Sequence, residues 1–491
     1  MSLAAVDRTE PALAHEVHGR RDSSSYGRVD EEIESRLRTL LGAEHVRTGK
    51  AIDQALGNDA GTRSEAPRLP DIAVYPATTA EVASVVALAH EKRIPLTARG
   101  GGTGLAGGAV PLHGGILLDL GRLDKILTID AHARYAEVQP GVKTLALQSA
   151  ARAQGLLYAG DPCSNDDCVL GGNIATNAGG NRAVKYGVTS DQVLSLEIVT
   201  AQGKVTTVGG RLKKNSTGYN LVRLFVGSEG TLGIVTKATV KLRPLAPFYP
   251  DYIVALPDLV GAMTLVETLA DDRFIDPITL EIIDRRTVAA MERLRGAPIF
   301  GRPDGHVLIV QFEAETEAEI RDKAARLEAR CATVPCRSVA RAADSEEIWA
   351  ARRTWAKALR DETPIAVGED LVVPVDRLAD FIGRMQTLLA QYGLDYRLAG
   401  HAGDGNMHIS TVPGSLPLEK WEETQTRYRA ELYGVVYELG GRLSGEHGIG
   451  LKRKKTLAKL IDPVELELMR AIKKAFDPSN ILNPGKIFEL A

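Results

Sequence analysis

The chain has 491 residues, 44% hydrophobic and 25% charged, with 60 basic and 63 acidic side chains and a net charge of −3. That length accommodates two or three domains with more than one core, and the composition is that of an ordinary globular protein. The near balance of charge leaves no electrostatic footprint for nucleic acid or an anionic membrane.

Residues 1–28 are polar and mixed, and read as a loose tail. Asp7, Glu10 and Glu16 interrupt any signal-peptide pattern, and no stretch approaches the length of a membrane span. The expected compartment is therefore the cytoplasm, with the inner-membrane surface or, in a eukaryote, the mitochondrial matrix as variants of that reading. A short amphipathic helix over 30–41 presents Ile33, Leu37, Leu40 and Leu41. Thr78-x-x-Glu81 reads as a capping box that opens a helix with Val82, Val85, Val86 and Ala89 on one face. Strands are expected at 94–97 and 115–120, a hairpin at 194–199 and 205–208, and a half-buried strand at 234–242. In the second half, 306–313 reads as a strand. Helices are expected over 316–330, 375–392 and 418–439, and from Asp462-Pro463-x-Glu465 up to Asp477-Pro478. This order of elements fits an α+β fold better than a doubly wound sheet. Cys163, Cys168, Cys331 and Cys336 form two C-x4-C pairs, a spacing that matches neither a ferredoxin cluster nor a zinc ribbon.

Three segments are rich in glycine. Gly102-x-Gly104-x-x-Gly107 spells a dinucleotide fingerprint, but Val110-Pro111 and a strand follow it where a helix is required. The loop must instead offer consecutive backbone N–H groups to a phosphate. Residues 170–181 and 227–235 carry small or short hydrogen-bonding side chains, which suits backbone pressed against a large flat ligand. Each alone could be a tight turn; together they favour a nucleotide-sized ligand.

His401-Ala-Gly-Asp-Gly-Asn-Met-His408 and, 38 residues later, Glu446-His447 hold three of the ten histidines. Imidazole with carboxylate suits zinc, manganese or cobalt. Gly403 and Gly405 let the backbone bend so that both rings can face one ion. Of the adjacent Glu446 and His447, one can bind a metal while the other stays free as a base.

From about 65 to 488 the chain resembles the flavin-binding oxidoreductases of the vanillyl-alcohol-oxidase type, in the branch of FAD-linked D-2-hydroxyacid dehydrogenases. The resemblance rests on the first glycine loop, Gly160-Asp161-Pro162-Cys163, the 171–180 segment, Tyr186-Gly187 and Gly227–Gly233. It continues through Trp349-Ala-Ala-Arg352, the two histidine motifs and Asn483-Pro484-Gly485-Lys486. It implies a two-part FAD-binding domain over 29–245, a cap domain over 246–455 whose antiparallel sheet is covered by helices, and a segment over 456–491 that returns to the flavin. The same resemblance places Arg99, Gly100, Gly101, Gly102, Thr103, Gly104, Pro162, Cys163, Gly172, Asn173, Thr176, Asn177, Gly180, Tyr186, Glu229, Gly233, Ile234, Val235 and Asn483 at the cofactor. Relatives with covalent flavin often carry histidine where Gly102 stands, which implies non-covalent FAD. Cys163 has either a structural or a redox role, and Glu229 either bonds the flavin side or caps a turn.

The resemblance also assigns His401, His408 and Glu446 to a divalent metal, zinc first and manganese or cobalt as alternatives. The ion would chelate the substrate's carboxylate and 2-hydroxyl; His447 would take the hydroxyl proton, and hydride would pass to flavin N5. Arg352 is the candidate carboxylate clamp, although Arg353 and Arg360 nearby also fit a solvated charge. Asn406 orients metal or substrate, or is a turn residue. The hydroxyglutarate branch carries Lys and Asn where Gly368 and Ser410 stand, so a monocarboxylic substrate like D-lactate is favoured over D-2-hydroxyglutarate, with glycolate as a further alternative. Electrons would leave to an external acceptor: electron-transfer flavoprotein, a quinone or an iron–sulfur subunit. The sequence leaves an oligomer open. Two other classes compete with this reading, a zinc hydrolase and a non-catalytic flavin subunit.

Overall fold

The computed structural model describes residues 26–301, 304–363 and 365–490. The tail expected over 1–28 lies outside the described residues up to position 25. Among the described residues, no helix is long and apolar enough to cross a membrane.

Among the described residues, the first half builds two larger sheets and a two-stranded pair of Leu156–Leu157 with Arg243–Pro244. Strands Val46–Thr48, Ile72–Val74, Ile116–Asp119 and Leu96–Arg99 form one, in that spatial order. Strands Ile126–Asp130, Tyr135–Val138, Ile234–Lys241, Val193–Val199 and Val205–Gly209 form the other. Helix Thr79–Lys92 starts as expected, with the Thr78 hydroxyl accepting from Glu81 N at 3.2 Å. The strand expected at 94–97 begins two residues later, at Leu96. Ile94 N–H closes the preceding helix on Ala89 O, and Pro95 has no N–H to give a ladder.

The second half is built on a seven-stranded sheet. Its spatial order is Ser338–Arg341, Asp251–Leu256, His306–Phe312, Pro277–Ile283, Asp395–His401, Asn406–Val412, Val367–Val372, and every pairing is antiparallel. Alternate residues of each strand face opposite sides. Leu280, Ile282, Leu398, Met407, Ile409 and Leu371 enter one apolar core with helices Leu259–Ala270, Leu378–Tyr392 and Trp421–Glu438. Ile253, Ile283, Ile309 and Ala399 point the other way, to helices Arg285–Arg295, Ser345–Arg353 and Trp355–Glu362. Glu281, His401, His408 and Asp370 share this second face. Helix 378–392 begins three residues later than the sequence suggests, because Val375–Arg377 after Pro374 is a 3-10 turn.

The chain then crosses back. Leu482 forms a parallel bridge with Leu96, and the Asn483 side-chain amide donates to Gly108 O and Glu229 O. Glycine-loop residues and residues beyond 480 are thus joined directly.

The loop before strand 277–283 is anchored by Asp272. Its buried carboxylate accepts from Arg326 Nε at 2.9 Å, from Arg330 Nε at 2.7 Å and from the backbone of Phe274 and Ile275. Burial alone would raise its pKa, but Arg330, the Ile275 N–H and Arg326 bring it down to about 2. Its folded value lies below the unfolded one, so its stabilisation is present above about pH 4 and is lost as pH falls towards 2. Asp272→Asn is expected to lower the unfolding free energy by about 1–3 kcal/mol at neutral pH. Thermal melts should show that deficit narrowing below about pH 4.

Candidate active site

Sheet register assembles the site. Glu281, His401, Asn406 and Val372 lie in one row across four strands, and Ile283, Ala399, His408 and Asp370 in the next. His401 and His408 sit on adjacent strands joined by Ala402–Gly405. Gly405 has φ +85°, and a Cβ there would fall on Val373 O, so glycine is needed for this turn. Glu446 and His447 arrive on the loop after Ser444.

His401 Nε2 and His408 Nε2 each lie 3.3 Å from Glu446 Oε1. His401 Nδ1 bonds Glu281 Oε1. His408 Nδ1 faces Asp370 Oδ1 at 3.6 Å, and His447 Nδ1 faces Asp370 Oδ2 at 3.6 Å. The His408 and His447 rings are parallel, 7° and 5.3 Å apart, and Trp355 stacks on His408 at 5.8 Å. Burial works against a charged His401, but Glu281 and Glu446 raise its pKa well above the usual imidazole range. Burial would raise Glu446 too, but His401 and His408 hold it well below the ordinary carboxylate range. Burial lowers His447, which favours its neutral form.

This donor set fits a divalent cation. Two imidazole nitrogens and an ionised carboxylate oxygen converge, and their ligand atoms all lie within 4.8 Å of one another. Glu281 and Glu446 on either side of His401 draw positive charge to the cluster, which an ion would supply in place of a proton. A carboxylate behind each histidine is the usual support for a metal-binding ring.

Arg352 lies beside this cluster on helix 345–353 and is 1% exposed, so it is not a solvated charge. Glu281 Oε2 accepts from its Nε at 2.9 Å and pairs in charge with its Nη2 at 2.7 Å, while neither Nη1 nor Nη2 has a hydrogen-bond partner. The guanidinium carbon lies 5.6 Å from the Trp355 ring centroid. Asn406 is engaged on its amide side, donating to Asp370 Oδ1 and Leu371 O. Ser410 lies opposite Gly368, two residues along from His408.

A cavity of about 420 Å³ adjoins the cluster. Arg99 to Gly104, Pro162, Cys163, Gly172, Asn173, Thr176, Glu229, Gly233, Ile234 and Val235 line it, and so do Glu446 and His447. Four expected cofactor residues do not. Asn177 ends helix Leu170–Thr176 with φ +53° and accepts from Ser190 N; Gly180 packs on Asp161 O. Tyr186 donates to Glu313 Oε2, with Arg243 over its ring, and Asn483 braces the wall from behind. Each supports the backbone without reaching the cavity. The Glu229 side chain bonds Ile449 N and Gly450 N, tying the cavity to the loop that carries Glu446. Cys163 is exposed, with Sγ 3.8 Å from Asn181 Oδ1.

Sequence reasoning missed Asp59, Glu281, Trp355 and Asp370. Asp59 lines the cavity and accepts from Gly107 N at 2.7 Å. Glu281 had a visible signal, a lone acid in the apolar strand Pro277–Ile283.

Comparison with known proteins follows this geometry. A family described as FAD binding domain matches residues 70–209, and one described as FAD linked oxidases, C-terminal domain, matches 251–487. The chain belongs to the FAD-linked oxidoreductases of the vanillyl-alcohol-oxidase type and carries an FAD-binding domain. It is 36% identical over 465 residues to glycolate oxidase subunit GlcD of Bacillus subtilis (strain 168), covering 94% of this chain and 97% of that one. It is 38% identical over 424 residues to a D-lactate dehydrogenase of Archaeoglobus fulgidus, covering 86% and 93%. Its fold matches p-cresol methylhydroxylase with a TM-score of 0.76 at 19% identity, over 93% of this chain and 96% of that one. The α+β architecture and the assignment as an FAD-linked enzyme therefore stand, and the zinc hydrolase reading falls.

A Cβ on Gly101 would lie 2.7 Å from Asp167 O, so even alanine must displace the Cys163–Cys168 loop. Gly101→Ala is expected to weaken FAD retention about tenfold, at a packing cost of about 1–3 kcal/mol. The ratio of flavin to protein absorbance after gel filtration checks it.

Proposed function

We propose that the protein oxidises a D-2-hydroxy acid, D-lactate or a similar monocarboxylic acid, to the 2-oxo acid. It does so with non-covalent FAD and one divalent cation, zinc first and manganese or cobalt next. One observation carries this reading: Glu446 and His447 belong both to the imidazole–carboxylate cluster and to the wall of the glycine-lined cavity. A substrate held at the cluster therefore has the cofactor cavity beside it. The D-lactate dehydrogenase and glycolate oxidase names of the relatives support the substrate class.

His401, His408 and Glu446 hold the cation. When bound, the cation supplies Lewis acidity to the 2-hydroxyl and carboxylate oxygens, and FAD supplies the hydride acceptor. His447, neutral and parallel to His408, takes the hydroxyl proton. Arg352 directs its unpartnered Nη1 to the substrate carboxylate, with Glu281 fixing the rest of the fork. Asn406 holds the turn between the metal histidines to strand 367–372. Near the cluster, Gly368 leaves open space: only Ser410 Oγ, at 3.7 Å, would touch a Cβ there. Arg397, across from Ser410, is engaged by Glu362 at 2.8 Å. Among the described residues, no free cation stands in that row for a second carboxylate, which favours monocarboxylic acids. Cys163 lines the cavity with no second cysteine in its wall among the described residues, and the sequence lacks a cluster-binding cysteine set. Electrons therefore leave through an external acceptor such as electron-transfer flavoprotein, a quinone or an iron–sulfur subunit.

The test is turnover of D- and L-lactate, glycolate and D-2-hydroxyglutarate with an artificial dye acceptor, with and without chelator. D-lactate should lead, and chelation should abolish its oxidation. Undiminished turnover after the ion is stripped would falsify the metal role. His447→Ala should retain FAD and lose about 10²–10⁴-fold in kcat. Arg352→Lys, which removes the fork, should raise KM for the acid by about tenfold or more.

A further inference from the structure

Asp370 is fully buried on strand 367–372, directly across from His408. Its Oδ1 accepts from Asn406 Nδ2 at 2.7 Å. Its Oδ2 accepts from Ser444 Oγ at 2.7 Å, from Glu446 N at 3.2 Å and from His447 N at 2.9 Å. Both oxygens also face imidazole Nδ1 atoms, His408 on one side and His447 on the other, each at 3.6 Å. That separation is electrostatic contact rather than a hydrogen bond.

Each of these hydrogen-bonding partners presents a donor. A carboxylate accepts on both oxygens and satisfies all of them. The isosteric amide would turn an NH2 group towards other donors. The position thus calls for charge as well as shape.

The arrangement has a directional consequence. The His408 and His447 rings are parallel, and their Nδ1 edges lie on the same carboxylate. A carboxylate beside Nδ1 favours the tautomer with the proton there, leaving Nε2 as the lone-pair nitrogen. The His408 Nε2 left bare in this way meets Glu446.

We propose that Asp370 is the positioning residue of the site: one carboxylate sets the orientation and tautomer of both a metal-binding imidazole and the proton-accepting imidazole, and anchors the backbone of Glu446 and His447. This rests on the functional reading above. It also makes the ion site and the base interdependent, since neither ring can turn without disturbing the acceptor of the other.

The experiment compares Asp370→Asn with the wild-type FAD-loaded protein. The zinc dissociation constant is read by competition with a chromophoric chelator, and D-lactate turnover at saturating zinc. Flavin absorbance should be unchanged, because Asp370 does not line the cofactor cavity. The zinc constant should rise about 10–100-fold. At saturating zinc, kcat should stay at least about tenfold down with KM within about threefold, because the base remains misaligned. In a His447→Ala background Asp370→Asn should cost little more in kcat, since one acts through the other. Met385→Ala, in the core on the opposite sheet face, controls for destabilisation and should leave the zinc constant within about twofold. Ser444→Ala removes one donor from Oδ2 with little risk to folding and should weaken zinc by about threefold. An unchanged zinc constant in both Asp370→Asn and Ser444→Ala, or an Asp370→Asn kcat loss fully additive with His447→Ala, overturns the proposal. Wild-type protein without a stoichiometric zinc site, or normal turnover by His447→Ala, would instead overturn the underlying reading and this proposal with it.

Discussion

Charge burial is the constraint around which the second half of the molecule is organised. Three imidazoles, the carboxylates of Glu281, Asp370 and Glu446, and the Arg352 guanidinium lie on or against one face of a sheet whose other face is largely apolar. An isolated ionised group there would cost several kcal/mol and would neutralise instead. The cluster persists because each group faces a partner of opposite sign or a hydrogen-bond donor. Glu281 serves His401 and Arg352 together, and Asp370 takes four hydrogen bonds from one strand and a loop and faces two imidazole Nδ1 atoms besides. Removing either carboxylate leaves more than one charge or donor unmatched.

This constraint also explains why the site is rigid. Its side chains come mainly from strands in fixed register and from a helix that packs directly on the sheet. A register slip of one residue would move His408 into the apolar core and Met407 into the site. The turn at Gly405 excludes such a slip between its two strands, because the left-handed residue falls at one place only.

Much of this was legible in sequence. Capping residues Thr78, Thr316 and Asp462 mark helix starts that the structure keeps. The His401–His408 pair was legible because its turn is written between its two ligands. Asp370 was not, because nothing local distinguishes it, and Glu281, although a lone acid in an apolar strand, carries no local sign of its partners. Each is an acid on a strand far along the chain, and only antiparallel pairing brings it beneath a histidine. Arg352 could not be separated from Arg353 and Arg360 by residue type. The helix settles it, turning Ile348, Ala351 and Arg352 inward and leaving Arg353 outside. The cavity-facing glycines were readable as a group, whereas Asn177, Gly180, Tyr186 and Asn483 lie outside the cavity lining.

The return of residues 480–486 to the glycine loop bears on the order of biosynthesis. Asn483 bridges Gly108 and Glu229, which lie 375 and 254 positions before it. The seven-stranded sheet intervenes between the two parts of the cofactor chamber. A ribosome must therefore translate that entire insertion before the chamber acquires its last brace. Nascent polypeptide carries the glycine loops long before it can secure a nucleotide in them, and stable capture of FAD becomes a late, post-assembly event.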